Sequence, residues 1–346
     1  MQRGRRKERD EGACQSVTRK EFGRKRQTPK GRVHFVGCAM DIWRRGGSEW
    51  QAPRHIEALG GSSYLVTIFE DPPRNIRDRV TNDGSRDGSR EMKKLGNDGS
   101  AVQLFDWAAR NPRVRVLIAN GRTQQNRTER LAFCRNVLLQ EALRSQSQTL
   151  VVMDLDCKPT LQPGRLREAV AAVSPHMGGW HALFANSLPM LYDFWALRST
   201  VLSMNYDCIM DKPSIADKGS CFDYHIKLSP WAPPLPVDSA FGGVGVYSLA
   251  ALGHSQCRYD GTTCEHVGFH LCLRRHGLKL AIAPSLVHGC KWELAACGAC
   301  NRSVYTPSEN KIHVRVLPDG SVNTSLPATL VRSGFENAKR VRKGWV

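Results

Sequence analysis

Apolar and β-branched residues come in short runs along this chain, separated by segments with helical spacing. The runs RVHFVGCAM (32–40), SSYLVTIFE (62–70) and VRVLIA (114–119) have strand length and β-branched content, so they predict buried strands. VQLFDWAARN (102–111) predicts a helix, and so does RTERLAFCRNVLLQEALR (127–144), where Leu131, Cys134, Leu138 and Ala142 recur on one face. Arg130 and Arg135 are expected elsewhere on that helix. The run TLVVMDLD (149–156) follows at once and predicts a strand that ends on Asp154 and Asp156. Alternation of this kind predicts an α/β fold, a mostly parallel sheet flanked by helices. Ligands bind such sheets at the carboxyl ends of the strands, which makes Asp154 and Asp156 site residues rather than core residues.

Residues 71–100 read as an irregular insertion, with NDGS at 82–85 and again at 97–100. The second half has shorter elements, among them GWHALFAN, YDFWALRS, PVDSAFGGVGVYSLAAL and CEHVGFHLCLRRHGLKLAIAP. With no strong linker, one domain is expected over 32–330, its latter half more irregular.

Charge adds tails to this picture. Of a net +18, residues 1–31 carry +7 and residues 331–346 carry +4, so both ends read as basic, solvated tails on a moderately basic body. Specific nucleic-acid binding would need basic residues interleaved with aromatics on a folded face, and the excess charge sits in aromatic-poor tails instead. No window offers the ~20 apolar residues of a membrane helix, and 1–31 lack the apolar core of a signal peptide. An upstream anchor preceding the chain stays open. Twelve scattered cysteines suggest an oxidising compartment and one or two disulfides. Cys297 and Cys300 have zinc-like spacing without a second such pair. The sequons at Asn126, Asn301 and Asn323 are compatible with secretion.

Two carboxylates one residue apart project to the same side of an extended chain. Together they suit a hard divalent cation, Mg²⁺ or Mn²⁺, which would neutralise a diphosphate leaving group. The strand VVMDLDCKPTL also resembles the nucleophile strand of haloacid-dehalogenase-type phosphatases, where Asp154 would attack phosphorus. That family's downstream acidic metal motif has only Asp211 and Asp217 as substitutes, in an irregular loop.

The ordered set of motifs over roughly 33–290 resembles GT-A-type glycosyltransferases. NDGSRDGS (82–89) stands for the nucleotide-binding turn, DLD for the metal-binding DxD, FGGVG (241–245) for the glycine-rich loop, CEH (264–266) for the late acidic motif, and His288 for the late metal-shell histidine. In texture, RTERLAFCRN, YDFWALR and VDSAFGGVGVY are closest to the capsule-associated α-mannosyltransferase group. The resemblance implies a GT-A-like, Rossmann-like fold and transfer of a hexose from a GDP- or UDP-linked donor to a glycan hydroxyl. It implies Mn²⁺ or Mg²⁺ held by Asp154, Asp156 and His288. Donor contacts would come from Glu70 or Asp83, and from Arg130, Arg135, Asp154, Gly242 and Gly243. Glu265 or Asp238 would be the catalytic base, taking the proton of the acceptor hydroxyl where the reaction inverts the anomeric centre, and the Golgi or secretory lumen would be the compartment. A catalytically inactive, nucleotide-sugar-binding relative is the alternative within the same resemblance.

Overall fold

The computed structural model describes residues 33–39, 56–61, 63–70, 100–120, 126–145, 147–155, 161–173, 179–188, 190–202, 204–208, 224–289 and 312–325. Both basic tails, both NDGS turns, the Cys297–Cys300 pair and Asn301 lie outside the described residues.

The predicted strands form where the apolar runs stand: β1 (Val33–Ala39), β2 (Ser63–Glu70), β3 (Val114–Asn120) and β4 (Thr149–Asp154). The predicted helices are α1 (Ser100–Arg110) and α2 (Arg127–Arg144). There follow α3 (Pro163–Ala172), β5 (Ala182–Asn186), β6 (Tyr224–Leu228), β7 (Leu235–Pro236), β8 (Val244–Ser248), α4 (Leu249–Ser255), α5 (Glu265–Arg275), β9 (Leu280–Val287), β10 (Ile312–Val316) and β11 (Val322–Ser325). Eight strands make one mixed, mostly parallel sheet in the order β3-β2-β1-β4-β8-β5-β9-β7, and β11-β10-β6 make a second, small one.

Strands β1, β2, β3, β4, β5 and β9 all run the same way, while β8 and β7 run against them. The carboxyl ends of six strands therefore lie along one edge, and the loop entering β8 comes to that same edge. The chain leaves β1 toward β2 on one side and returns to β4 on the other, so the topological switch point lies between the ends of β1 and β4. Open α/β sheets bind ligands in the crevice at such a point.

Alternate residues of the strands feed two separate cores. Val36, Leu150 and Val152 pack on one face with Leu138 of α2 and Tyr247. Phe35, Val151 and Met153 pack on the other with Leu104 and Trp107 of α1 and Leu166 of α3. Burial on both faces explains why these strands are continuous apolar runs rather than alternating ones. The period of two also fixes direction: Asp154 follows Val152 on the face that carries α2.

The expected stripe of α2, Leu131, Cys134, Leu138 and Ala142, is buried throughout, and a neighbouring charged residue turns inward as well. Arg135 is buried beside these four residues and puts a guanidinium in the core layer. Two disulfides have both of their cysteines among the described residues. Cys38 of β1 bonds Cys134 of α2, 96 residues away, and Cys257 bonds Cys272, leaving neighbouring Cys264 as a buried free thiol. Among the described residues no helix is long and apolar enough to cross a membrane.

Candidate active site

Five chain segments converge at the carboxyl edge beside the switch point. Asp154 closes β4 with its side chain 27% exposed, and α2 brings Arg135 against it from the same face: Arg135 Nη2 donates to Asp154 Oδ1 at 3.0 Å. The same Nη2 lies 3.2 Å from Glu265 Oε1, where α5 begins. A carboxylate at a helix start is favoured by the helix dipole. The ring of Phe241 lies 4.7 Å from the guanidinium carbon, and its stacked neighbour His266 receives a hydrogen bond from Arg135 Nη1. One buried cation thus bridges a strand end and a helix start that are far apart in sequence.

The electrostatics follow from this packing. Burial alone would lower the Arg135 pKa, but the facing Glu265 and Asp154 carboxylates raise it overall, so the guanidinium is permanently charged. Burial, then the nearby Arg135 charge, pushes His266 well below its ordinary range, so its ring is neutral and can accept from Arg135. Burial and Arg135 bring His270 down to about 3. Its two nitrogens meet Ser239 Oγ at 3.0 Å and Tyr247 OH at 2.9 Å, and both hydroxyls can serve a neutral imidazole. These two histidines are buried aromatic packing behind the ion pair.

The glycine loop is the fourth component. Asp154 N donates to Gly243 O at 2.9 Å, so the loop entering β8 closes over the strand end. Gly242 has φ +63 and Gly243 φ +81, and a Cβ on Gly242 would run into the carbonyl oxygen of Ala185. Only glycine fits there. Gly242→Ala is expected to cost about 1–3 kcal/mol from overpacking and left-handed strain. Urea unfolding would measure it, and an unchanged midpoint would mean that the loop does not press on β5.

The fifth component is Asp193, which sequence reading passed over as part of an aromatic block. It is half-buried on the segment after β5. Its Oδ2 accepts from Gly242 N at 3.2 Å and its Oδ1 from Ala196 N at 3.4 Å. Burial, and after it the Glu265 charge, pushes its carboxyl up to about 6 despite those amides and Arg135. A lone carboxylate inside Tyr192-Asp193-Phe194-Trp195 was the available signal.

The remaining expected residues fall as follows. Asn136, beside Arg135, holds the backbone of Tyr259 from both sides, Nδ2 to O at 2.8 Å and Oδ1 from N at 2.9 Å, and so ties α2 to the turn before α5. Arg130 is half-buried in the first turn of α2. Glu70 ends β2 at the same sheet edge, in register with Asn120. His288 follows β9 at that edge, fully buried, its amide donating to Asn186 O at 2.8 Å. Asp238 does not join the group. It follows β7, which runs toward the opposite edge, and Arg274 in the last turn of α5 binds it at 3.1 Å. Glu265 starts that helix, so Asp238 sits about three helical turns from it. Asp156, Asp83, Asp211 and Asp217 lie outside the described residues. Among the described residues, three ligand-type atoms come within 4.8 Å of one another only at Cys257, Cys272 and His276, and there the two sulfurs are bonded to each other.

No family model matches the chain. No curated protein matches it either. Among solved structures it resembles residues 1–349 of TarS from S. aureus, at 10% identity and a TM-score of 0.40. That match covers 74% of this chain and 59% of the TarS chain, so this chain spans less than two thirds of it. A second likeness is to glucosyl-3-phosphoglycerate synthase from Mycobacterium tuberculosis, solved with Mn²⁺, UDP and glucosyl-3-phosphoglycerate. There the identity is 12%, the TM-score 0.37 and the coverage 87% of this chain and 92% of that one. Neither likeness assigns a role to a residue here.

Proposed function

We propose that the chain is a metal-dependent glycosyltransferase of the GT-A type, moving a hexose from a GDP- or UDP-linked donor to a glycan hydroxyl. The observation that carries the reading is the buried Arg135 bridging Asp154 and Glu265 at the switch-point edge, under the Gly242–Gly243 loop. Asp154 is partly exposed where the donor diphosphate would arrive, and the glycine loop lets backbone approach it without a side chain intervening.

The donor set fits a hard divalent ion. Arg135 faces two carboxylates directly, so the cluster keeps excess negative charge, and carboxylate oxygens at a strand end suit Mg²⁺ or Mn²⁺. Asp154 and Asp156 would hold it, with His288 as a nitrogen ligand. When bound, such an ion offsets the charge that develops on a departing diphosphate. Arg135 orients Asp154, and Arg130 and Glu70 or Asp83 complete the donor side. Two disulfides support an oxidising lumen, in line with a secretory-pathway enzyme.

Thermal melts with UDP and with GDP, each with and without Mn²⁺, test the reading. Ligand at about 100 times its Kd stabilises the native state by about 2.7 kcal/mol, a rise of several degrees. One diphosphate should give this shift only with Mn²⁺, and Asp154→Asn should abolish it. A cooperative melt that moves with neither diphosphate sinks the proposal. Metal-dependent binding without sugar transfer would identify an inactive relative instead.

A further inference from the structure

Glu265 is poorly placed to deprotonate a substrate. It is 3% exposed, and Arg135, itself buried, holds its Oε1 at 3.2 Å. A general base must come within about 2.6–3.2 Å of the proton it removes. To do that, Glu265 would have to leave a guanidinium inside the protein and strand a buried charge, which costs several kcal/mol. Its position is that of a fixed counter-ion.

Asp193 has the opposite set of properties. It comes to the same sheet edge from the segment after β5 and remains partly open to solvent. Two backbone amides, of Gly242 and Ala196, fix its carboxylate without neutralising it. The loop that holds it also holds the strand end: Gly242 N binds Asp193, and the next residue, through Gly243 O, binds Asp154 N. Asp193 and Asp154 are therefore set across one two-residue glycine turn, a base beside a leaving-group site.

We infer that Asp193, rather than Glu265, takes the proton of the acceptor hydroxyl; the inference rests on the transferase reading above. The acceptor oxygen attacks the anomeric carbon as the bond from that carbon to the diphosphate oxygen breaks. The hydroxyl proton passes to the Asp193 carboxylate, and the nucleoside diphosphate leaves with the electron pair. Asp193 must be ionised to do this. The charged and titratable groups facing it are Glu265 and Cys264 at the start of α5 and Arg135 on α2. Burial and the Glu265 charge lift its carboxyl to about 6, below a neutral working pH and close enough for efficient proton transfer. Glu265 then acts as a positioning residue, tuning Asp193 and anchoring Arg135.

The test compares wild type, Asp193→Asn and Glu265→Gln with UDP-glucose and GDP-mannose as donors and water as acceptor, following release of the nucleoside diphosphate from pH 5 to 8. Metal-dependent thermal shifts with UDP and GDP are recorded on the same samples. Asp193→Asn should keep the diphosphate shift while losing roughly 10²–10⁴-fold in release, and the acid limb near pH 6 should vanish with it. Glu265→Gln should keep an acid limb but move its midpoint downward, because a negative neighbour of Asp193 has gone. Near-normal release by Asp193→Asn with the limb intact overturns the inference and leaves the transferase reading standing. So does an acid limb that disappears in Glu265→Gln alone. Absence of any metal-dependent shift in wild type overturns the transferase reading itself, and the role of Asp193 falls with it.

Discussion

Replacing Arg135 by alanine is expected to destabilise the protein by about 3–5 kcal/mol, because it leaves a buried carboxylate without its partner. Glu265 is 3% exposed and cannot recover its hydration by a side-chain rotation alone. Asp154 is more open and can rehydrate, so the larger share of the cost falls on Glu265. The Phe241 ring also loses the cation over its face. Against a usual total of about 5–15 kcal/mol, this is enough to bring the unfolding midpoint in urea down sharply. Lysine should rescue little, since a single ammonium cannot serve two carboxylates and an imidazole in one plane as a guanidinium does. Arg135→Met combined with Glu265→Gln should be more stable than Arg135→Met alone, because the unpaired charge is gone. An Arg135→Ala midpoint equal to that of wild type would mean that the three-way contact does not exist in solution.

The same cluster shows where the sequence could be read and where it could not. Strands β1 to β4 were visible because burial on both faces demands continuous apolar runs, and Asp154 stood out because such a run ended on a carboxylate. Strand β8 was not visible as the antiparallel strand between β4 and β5, since its pairing joins Val151 to Val246 and no local pattern encodes that. In α2, Arg135 was legible as a donor contact lying off the apolar face, but not as a buried residue, because periodicity assigns an arginine no place in the core. What turns it inward lies 130 residues later, in the glutamate that opens α5. The Cys38–Cys134 bond spans 96 residues and is equally non-local. Asp193 was hidden for the reverse reason: its aromatic neighbours look like core, and its exposure depends on where the glycine loop lands. Asp238 looked suitable by its nearness to that loop in sequence, but β7 carries it to the other edge of the sheet.

Acidification should weaken the fold steeply between about pH 6 and pH 4. Three of the buried histidines, His34, His266 and His270, are neutral. Burial, followed by the Arg115 charge, lowers His34 to about 4, where it shares a hydrogen bond with Ser63 Oγ. Burial and Arg135 lower His270 to about 3 and put His266 well below its ordinary range. In the unfolded chain each would titrate at about 6.5, so as the pH falls through that value the unfolded state takes up protons that the native state refuses. Each such proton removes about 1.4 kcal/mol of stability per pH unit. Asp193 opposes the trend. Its native carboxyl holds a proton from about pH 6 downward, whereas the unfolded carboxyl ionises near 3.9, so in this window the native state binds one proton more. The balance is about two protons, or about 3 kcal/mol per pH unit, and a protein of ordinary stability should unfold near pH 4–5. Urea unfolding at pH 7, 6 and 5 would measure the slope. Asp193→Asn should steepen it by about one proton's worth, since the opposing group is gone. A stability that stays level from pH 6 to 5 would show that these histidines are accessible to protons in the native state, and that the aromatic packing behind Arg135 is open.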